Sequence, residues 1–200
     1  MEMKTKAKPK LPKAEIRYLD DLKKVLCDQK WSKTAPNLEL YYIYRGLKEK
    51  KDIRYDITII LPKMLGKEFA KTKGHYHFGS YGELYKVLKG EAIFLMQKKK
   101  NKLIDDVYYV RAKSGDYIAI APFYGHVIIN PSDQPLKIAN WISPNCKADY
   151  ENIERKAGFS YYYTNRGWLK NKNYKKVLKL KAKKALKNPP KNLDFIYGSN

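Results

Sequence analysis

Two hundred residues, 44% of them hydrophobic and 18 of them tyrosine, suffice for one domain with its own core. Two cysteines, Cys27 and Cys146, are too few for a disulfide framework, and no apolar run reaches the roughly 18 residues of a membrane span. The formal charge of +22 would favour an anionic partner, but only six of the 42 basic residues are Arg, the side chain suited to bidentate phosphate and guanine contacts.

Residues 1–13 read as a disordered basic arm, with five Lys against one Glu, Pro9 and Pro12, and almost nothing apolar. No apolar stretch follows to make a secretory signal, so a cytoplasmic location is expected. Leu19, Leu22, Val25 and Leu26 fall at helical spacing and predict a short helix. Lys33–Asn37, with Pro36, is a loop. Strands are predicted at Leu38–Tyr44 and at Arg54–Leu61, the latter stopped by Pro62. A turn at Lys63–Lys67 leads into an extended segment, Glu68–Phe78. Strands Glu83–Leu88 and Glu91–Gln97 are split by the hairpin signal Lys89-Gly90, and Lys98–Lys102 is a lysine-rich tip. Asp106–Val110, Tyr117–Ala121, His126–Asn130 and Leu136–Ile142 complete the strands. Such close turn spacing without βαβ alternation predicts an all-β barrel or sandwich over residues 14–167. A helical turn at Tyr150–Lys156 and an aromatic run at Phe159–Tyr163 follow. Residues 168–200, with ten Lys against one Asp, form a peripheral extension in which Val177, Leu178, Leu180 and Leu186 give a short helix or an edge strand. With the charge gathered in both ends, solvated faces are expected in preference to nucleic-acid binding, and the field would still attract a sugar phosphate.

The chain has three histidines. His75 and His77 are separated by one residue, so on a strand they share a face. Glu83 follows after five residues and the Gly90 turn after six more; Gly115, Pro122, His126 and Asn130 form a second spaced set. Three imidazoles and a carboxylate suit one divalent transition metal: imidazole accepts Fe, Ni, Cu or Zn, and carboxylate also admits Mn.

This two-part pattern resembles the cupin superfamily, a double-stranded β-helix barrel. It departs by a slightly longer His77–Glu83 gap and by lacking a Gly two residues after Pro122. The run Gly66-Lys67-Glu68-Phe69-Ala70-Lys71-Thr72-Lys73-Gly74-His75-Tyr76-His77 looks like the GKEFxxTKGHxH stretch of the cupin-type, archaeal-type glucose-6-phosphate isomerases. Thr58 before Pro62, Glu83-Leu84-Tyr85, Pro122–His126 with Asn130, Asp149-Tyr150 and Lys156–Phe159 match in register, so that the resemblance covers residues 17 to 163.

The resemblance implies an all-β cupin barrel with short helical flanks, and a metal-dependent aldose–ketose isomerase of glycolysis and gluconeogenesis interconverting glucose 6-phosphate and fructose 6-phosphate. Its metal ligands would be His75, His77, Glu83 and His126, with iron the expected ion and Mn, Ni or Zn the alternatives. Thr58, Thr72, Lys73 and Gly74 would cradle the phosphate through hydroxyls, an ammonium and a backbone N–H. Tyr85 and Tyr150 would line the sugar pocket. The metal would act as a Lewis acid on O1 and O2, with Glu83 the candidate base in an enediol route and a hydride shift the other route. A homodimer is expected, with Leu38–Tyr44 as its interface strand. Three departures bear on the sugar: Ala148 and Ile142 stand where the family has a histidine and a tyrosine, and the His77–Glu83 gap is one residue shorter. Another metal cupin enzyme, an oxygenase or decarboxylase, would have no use for Thr58 and Thr72; a non-catalytic sugar-phosphate or nucleic-acid binding cupin would rely on the basic ends.

Overall fold

The computed structural model describes residues 12–50, 52–101 and 103–198. The expected basic arm therefore lies outside the described residues except for Pro12 and Lys13.

The chain enters through β1 (Glu15–Tyr18), α1 (Leu19–Leu22), a 3-10 turn (Lys23–Val25) and α2 (Gln29–Thr34). The expected helix forms because Leu19, Leu22, Val25 and Leu26 are all fully buried, and Asp21 accepts the Tyr18 N–H at its start (2.8 Å). α2 is an addition to the sequence reading, which has a loop from Lys33. Asp28 caps it by accepting the Trp31 N–H (3.0 Å), and Pro36 ends it by holding Ala35 extended.

The barrel follows: β2 (Glu39–Lys50), β3 (Ile53–Ile60), β4 (Met64–Leu65), β5 (Glu68–Phe69), β6 (Tyr76–His77), β7 (Glu83–Lys89), β8 (Glu91–Lys100), β9 (Leu103–Lys113), β10 (Tyr117–Ile120), β11 (Tyr124–Ile129) and β12 (Leu136–Ile142). β13 (Ala148–Asp149), α3 (Glu151–Arg155), β14 (Tyr161–Thr164), β15 (Gly167–Lys170) and β16 (Lys181–Lys184) complete the elements before a closing 3-10 turn, Asp194–Ile196. One sheet runs β1-β2-β3-β12-β7-β10, and the facing sheet runs β11-β8-β9-β16. The segment from Ala70 to His77 adds to the free side of β11 through bridges Lys71–Ile129 and His75–His126, with Thr72 N–H on the Ile128 carbonyl (2.8 Å) and Asn130 N–H on that of Ala70 (2.8 Å). Phe94, Leu95, Met96, Val87, Ile120 and Ile138, all essentially inaccessible, fill the interior. This is the all-β double-stranded barrel the sequence predicts, with helices confined to its flanks.

Several boundaries move. β2 continues six residues past Tyr44 by way of a bulge between Tyr44 and Lys48, where Gly46 takes φ +64° and gives its N–H to Asp56 (2.8 Å). β2 is also not a sheet edge, because β1 pairs along it from Glu39 to Ile43. Leu40, Tyr41 and Ile43 are buried within the chain itself. In the C-terminal extension the strand forms and the helix does not, and it falls on Lys181–Lys184, pairing parallel with β9.

A candidate metal centre inside the barrel

Strand pleat puts the same face of five strands into one cavity of about 310 Å³. Tyr41, Ile43 and Arg45 alternate inward on β2; Arg54, Asp56 and Thr58 on β3; Glu83 and Tyr85 on β7; His126 and Ile128 on β11; Asn140 and Ile142 on β12. Arg17, Thr72, Lys73, Gly74, His75, His77, Cys146, Ala148 and Tyr150 complete the wall. Every site residue expected from sequence thus lines one cavity, including both positions, Ala148 and Ile142, where the chain departs from the family.

His75 and His126 exchange both backbone hydrogen bonds (3.1 and 2.9 Å). They are directly opposed across the strand pair, so their imidazoles leave on one side. Two residues on, His77 returns to that side. Glu83 comes from the other sheet. One ligand atom of each of His75, His77, Glu83 and His126 lies within 4.8 Å of all the others. The Nε2 atoms of His75 and His77 are 3.1 Å apart, and Glu83 Oε2 is 3.4 Å from His77 Nε2 and 3.3 Å from His126 Nε2.

The second layer orients these groups. His77 Nδ1 is 3.0 Å from the Tyr81 carbonyl. A carbonyl only accepts, so Nδ1 carries a proton and Nε2 faces its neighbours. Asn140 donates to Glu83 Oε1 (2.7 Å), whereas Glu83 Oε2 is buried without any hydrogen bond. Tyr85 Oη is 3.1 Å from His126 Nε2. Burial would raise the Glu83 carboxyl, but the His126 and His77 imidazoles outweigh it and hold the group well below the usual carboxylate range. Burial lowers His75 and His126, and the other imidazoles reinforce this for His75. For His77 burial opposes the charge, yet Cys146 and Glu83 push it up to about 10. The group fits a divalent cation. A buried carboxylate oxygen has no donor, three ring nitrogens converge beside it, and the ion would displace the proton held at His77.

At the approach to the ligands, Gly74 has φ +73°, and a Cβ there would meet Phe159 at 2.6 Å and Val127 at 2.9 Å. Thr72 Oγ1 accepts the Ile128 N–H (3.1 Å), and the Lys73 N–H points to the Tyr41 hydroxyl (3.3 Å). The Lys73 ammonium is ion-paired with Glu154 on α3 (2.6 Å) and lies over the Tyr150 ring at 4.7 Å. Buried Glu68 and Lys71 pair at 2.6 Å. They also bind the Cys27 N–H (2.5 Å) and the Val25 carbonyl (2.9 Å), docking the helical flank on the strand that leads to the histidines.

Sequence reasoning missed Asn140, Tyr41, Cys146 and the Arg17, Arg45, Arg54 and Asp56 wall. Period-two reading from Thr58 back to Asp56 and Arg54 was the one signal that would have found part of it. An isolated Asn or Cys in a strand-rich chain carries none.

Two facing sheets, antiparallel apart from the β16–β9 pair, with a His-His-Glu-His group enclosed between them define a cupin barrel with a candidate metal site. The family model for glucose-6-phosphate isomerase (GPI) matches residues 17–179. Curated relatives include the glucose-6-phosphate isomerase of Thermococcus litoralis, 29% identical over 154 residues that make up 74% of this chain and 78% of the relative. That of Pyrococcus furiosus is 28% identical over 74% of this chain and 79% of its own. Among solved structures, an oxalate oxidase matches 58% of this chain and 56% of its own at 13% identity and a TM-score of 0.44. A Lactobacillus farciminis oxalate decarboxylase matches 52% and 29% at 19% identity and a TM-score of 0.42; neither likeness bears on the chemistry. The chain belongs to the glucose-6-phosphate isomerase family and is an isomerase of the cupin type.

Proposed function

We propose that the chain interconverts glucose 6-phosphate and fructose 6-phosphate with a divalent metal held by His75, His77, Glu83 and His126. The observation that carries this is the convergence of those four ligand atoms within 4.8 Å in the cavity that Thr58, Thr72 and Gly74 also line. When bound, the ion supplies Lewis-acid polarisation of the substrate's adjacent oxygens, which acidifies C2–H. Iron is our first choice of ion, with Mn, Ni and Zn as alternatives.

In this reading the Thr58 and Thr72 hydroxyls and the Gly74 backbone hold the phosphate, so that C1 and C2 are positioned from a distance. Lys73 contributes its backbone, since its ammonium is engaged by Glu154. Tyr85 and Tyr150 wall the sugar. Glu83 is the residue for proton transfer at C2 in an enediol route. Its depressed proton affinity, with Asn140 donating to Oε1, favours ligation over base work. Substrate deuterated at C2 separates the routes, since label retained at C1 means direct transfer and label lost to solvent means proton abstraction.

The test is a coupled isomerase assay after metal stripping and add-back. Activity on fructose 6-phosphate that disappears with EDTA and returns with Fe, Mn, Ni or Zn is expected. No conversion with any of the four would overturn the reading. As parts of the same reading we place the enzyme in the cytoplasm as a homodimer, with residues 14–167 as the barrel domain and 168–200 as its extension. Since β1 covers the edge of β2, the dimer would use the outer face around Tyr42 and Tyr44, and light scattering that gives a monomer would remove it.

A further inference from the structure

The lysine-rich extension ends on the loop that presents the metal ligands. β16 pairs parallel with β9 and forms the edge of one sheet. Leu186 then exchanges hydrogen bonds with Tyr117 on β10, the edge of the other (2.8 and 2.9 Å), and Lys187 pairs with Asp116 (2.6 Å). The strap thus joins the two sheet edges across their seam. It finishes in the Asp194–Ile196 turn, where Ile196 is fully buried and the Phe195 carbonyl accepts the Gly82 N–H (2.7 Å). A Cβ on Gly82 would collide with the Phe195 ring. Gly198 is packed against the Tyr81 ring, which a Cβ there would meet at 3.0 Å. Tyr81 supplies the carbonyl that orients His77, and Gly82 precedes Glu83.

We propose that the strap from Lys181 to Gly198 is a positioning segment for the metal centre. By pinning Tyr81 and Gly82, it fixes the short connection between His77 and Glu83 and so slows release of the ion. The proposal rests on the metal-site reading above. The family match ends at residue 179, before the strap begins. Within this five-residue connection Gly79 takes φ +77°, and a carbonyl that sets a ligand's tautomer is worth about 10–100-fold in metal affinity.

The experiment uses full-length protein loaded with Zn²⁺ and follows zinc transfer to a chromogenic chelator, alongside amide hydrogen exchange at Tyr81 and Gly82. Ile196→Asp and Phe195→Ala are expected to release zinc at least about tenfold faster and to exchange faster at Gly82, with the β8 amides still protected. Ile196→Val is expected to behave as wild type. Faster exchange at Gly82 with unchanged zinc release overturns the positioning role. If Ile196→Asp fails to fold, Phe195→Ala decides alone. A wild-type chain that takes up no zinc sinks the metal reading instead, and the strap is then judged by exchange: wild-type rates at Tyr81 and Gly82 in the variants overturn it independently.

Discussion

At the scale of single residues, the site works by partnering some polar atoms and leaving Glu83 Oε2 and His126 Nδ1 buried without a hydrogen bond. Asn140 occupies Oε1 of Glu83 and leaves Oε2 as the buried atom without a donor. Asn140→Ala should cost about 10–100-fold in metal affinity or kcat, read by chelator competition and by the coupled assay. Thr58 is buried on β3 and lines the cavity. Thr58→Val keeps the shape and removes one hydrogen bond, so KM for fructose 6-phosphate should rise about tenfold, with Tm nearly unchanged. Thr72 is a less clean probe, because its hydroxyl also accepts the Ile128 N–H. His75, His77, Glu83 and His126 were legible from residue type and spacing. Asn140 was not, since its partner is 57 residues away in the chain.

At the scale of elements, close backbone approach sets the tolerances. The segment carrying Thr72 to His77 packs so tightly on β11 and Phe159 that Gly74 admits no side chain. Gly74→Ala combines a positive φ with contacts that cannot give way, so a loss of about 2–3 kcal/mol in urea unfolding is expected, with activity falling alongside. The strap adds a pH dependence. The Lys187 hydrogen bond holds Asp116 below its ordinary carboxyl value. Its stabilisation is therefore complete above the unfolded pKa of about 3.9 and is lost as pH falls through the lower folded one. Lys187→Ala should lower Tm relative to wild type at pH 7, and the difference should shrink in acid-unfolding curves below about pH 3. That strap was read only as lysine-rich sequence, with helix and edge strand both open. Parallel pairing with β9 is a non-local choice, and the alternation of lysines with apolar residues does not record it.

For the whole molecule, charge and cavity act together. A net charge of +22 around a site for a dianionic sugar phosphate should raise the association rate at low salt. KM should therefore rise with ionic strength while kcat stays nearly constant, in assays from about 20 to 300 mM salt, a range that spans the onset of screening. What the sequence determined by itself was an all-β barrel or sandwich, most strand positions, and the spaced set His75, His77, Glu83 and His126, whereas Thr72, Lys73 and Gly74 stood out only through the family resemblance. The former are encoded locally, by period-two alternation, Gly and Pro stops, and a spaced set of rare histidines. The α2 helix, the bulge at Gly46, the pairing of Lys73 with Glu154, the arginine wall and the strap's hold on Gly82 were decided by tertiary structure. Each depends on which distant surface a segment meets, and a hydrogen bond between residues more than 100 apart, such as Gly82 to Phe195, leaves no periodicity in the chain. Thr72 to His77 is where the two kinds of information meet: its residues are readable in order, but His75 becomes a partner of His126 only once β11 lies beside it.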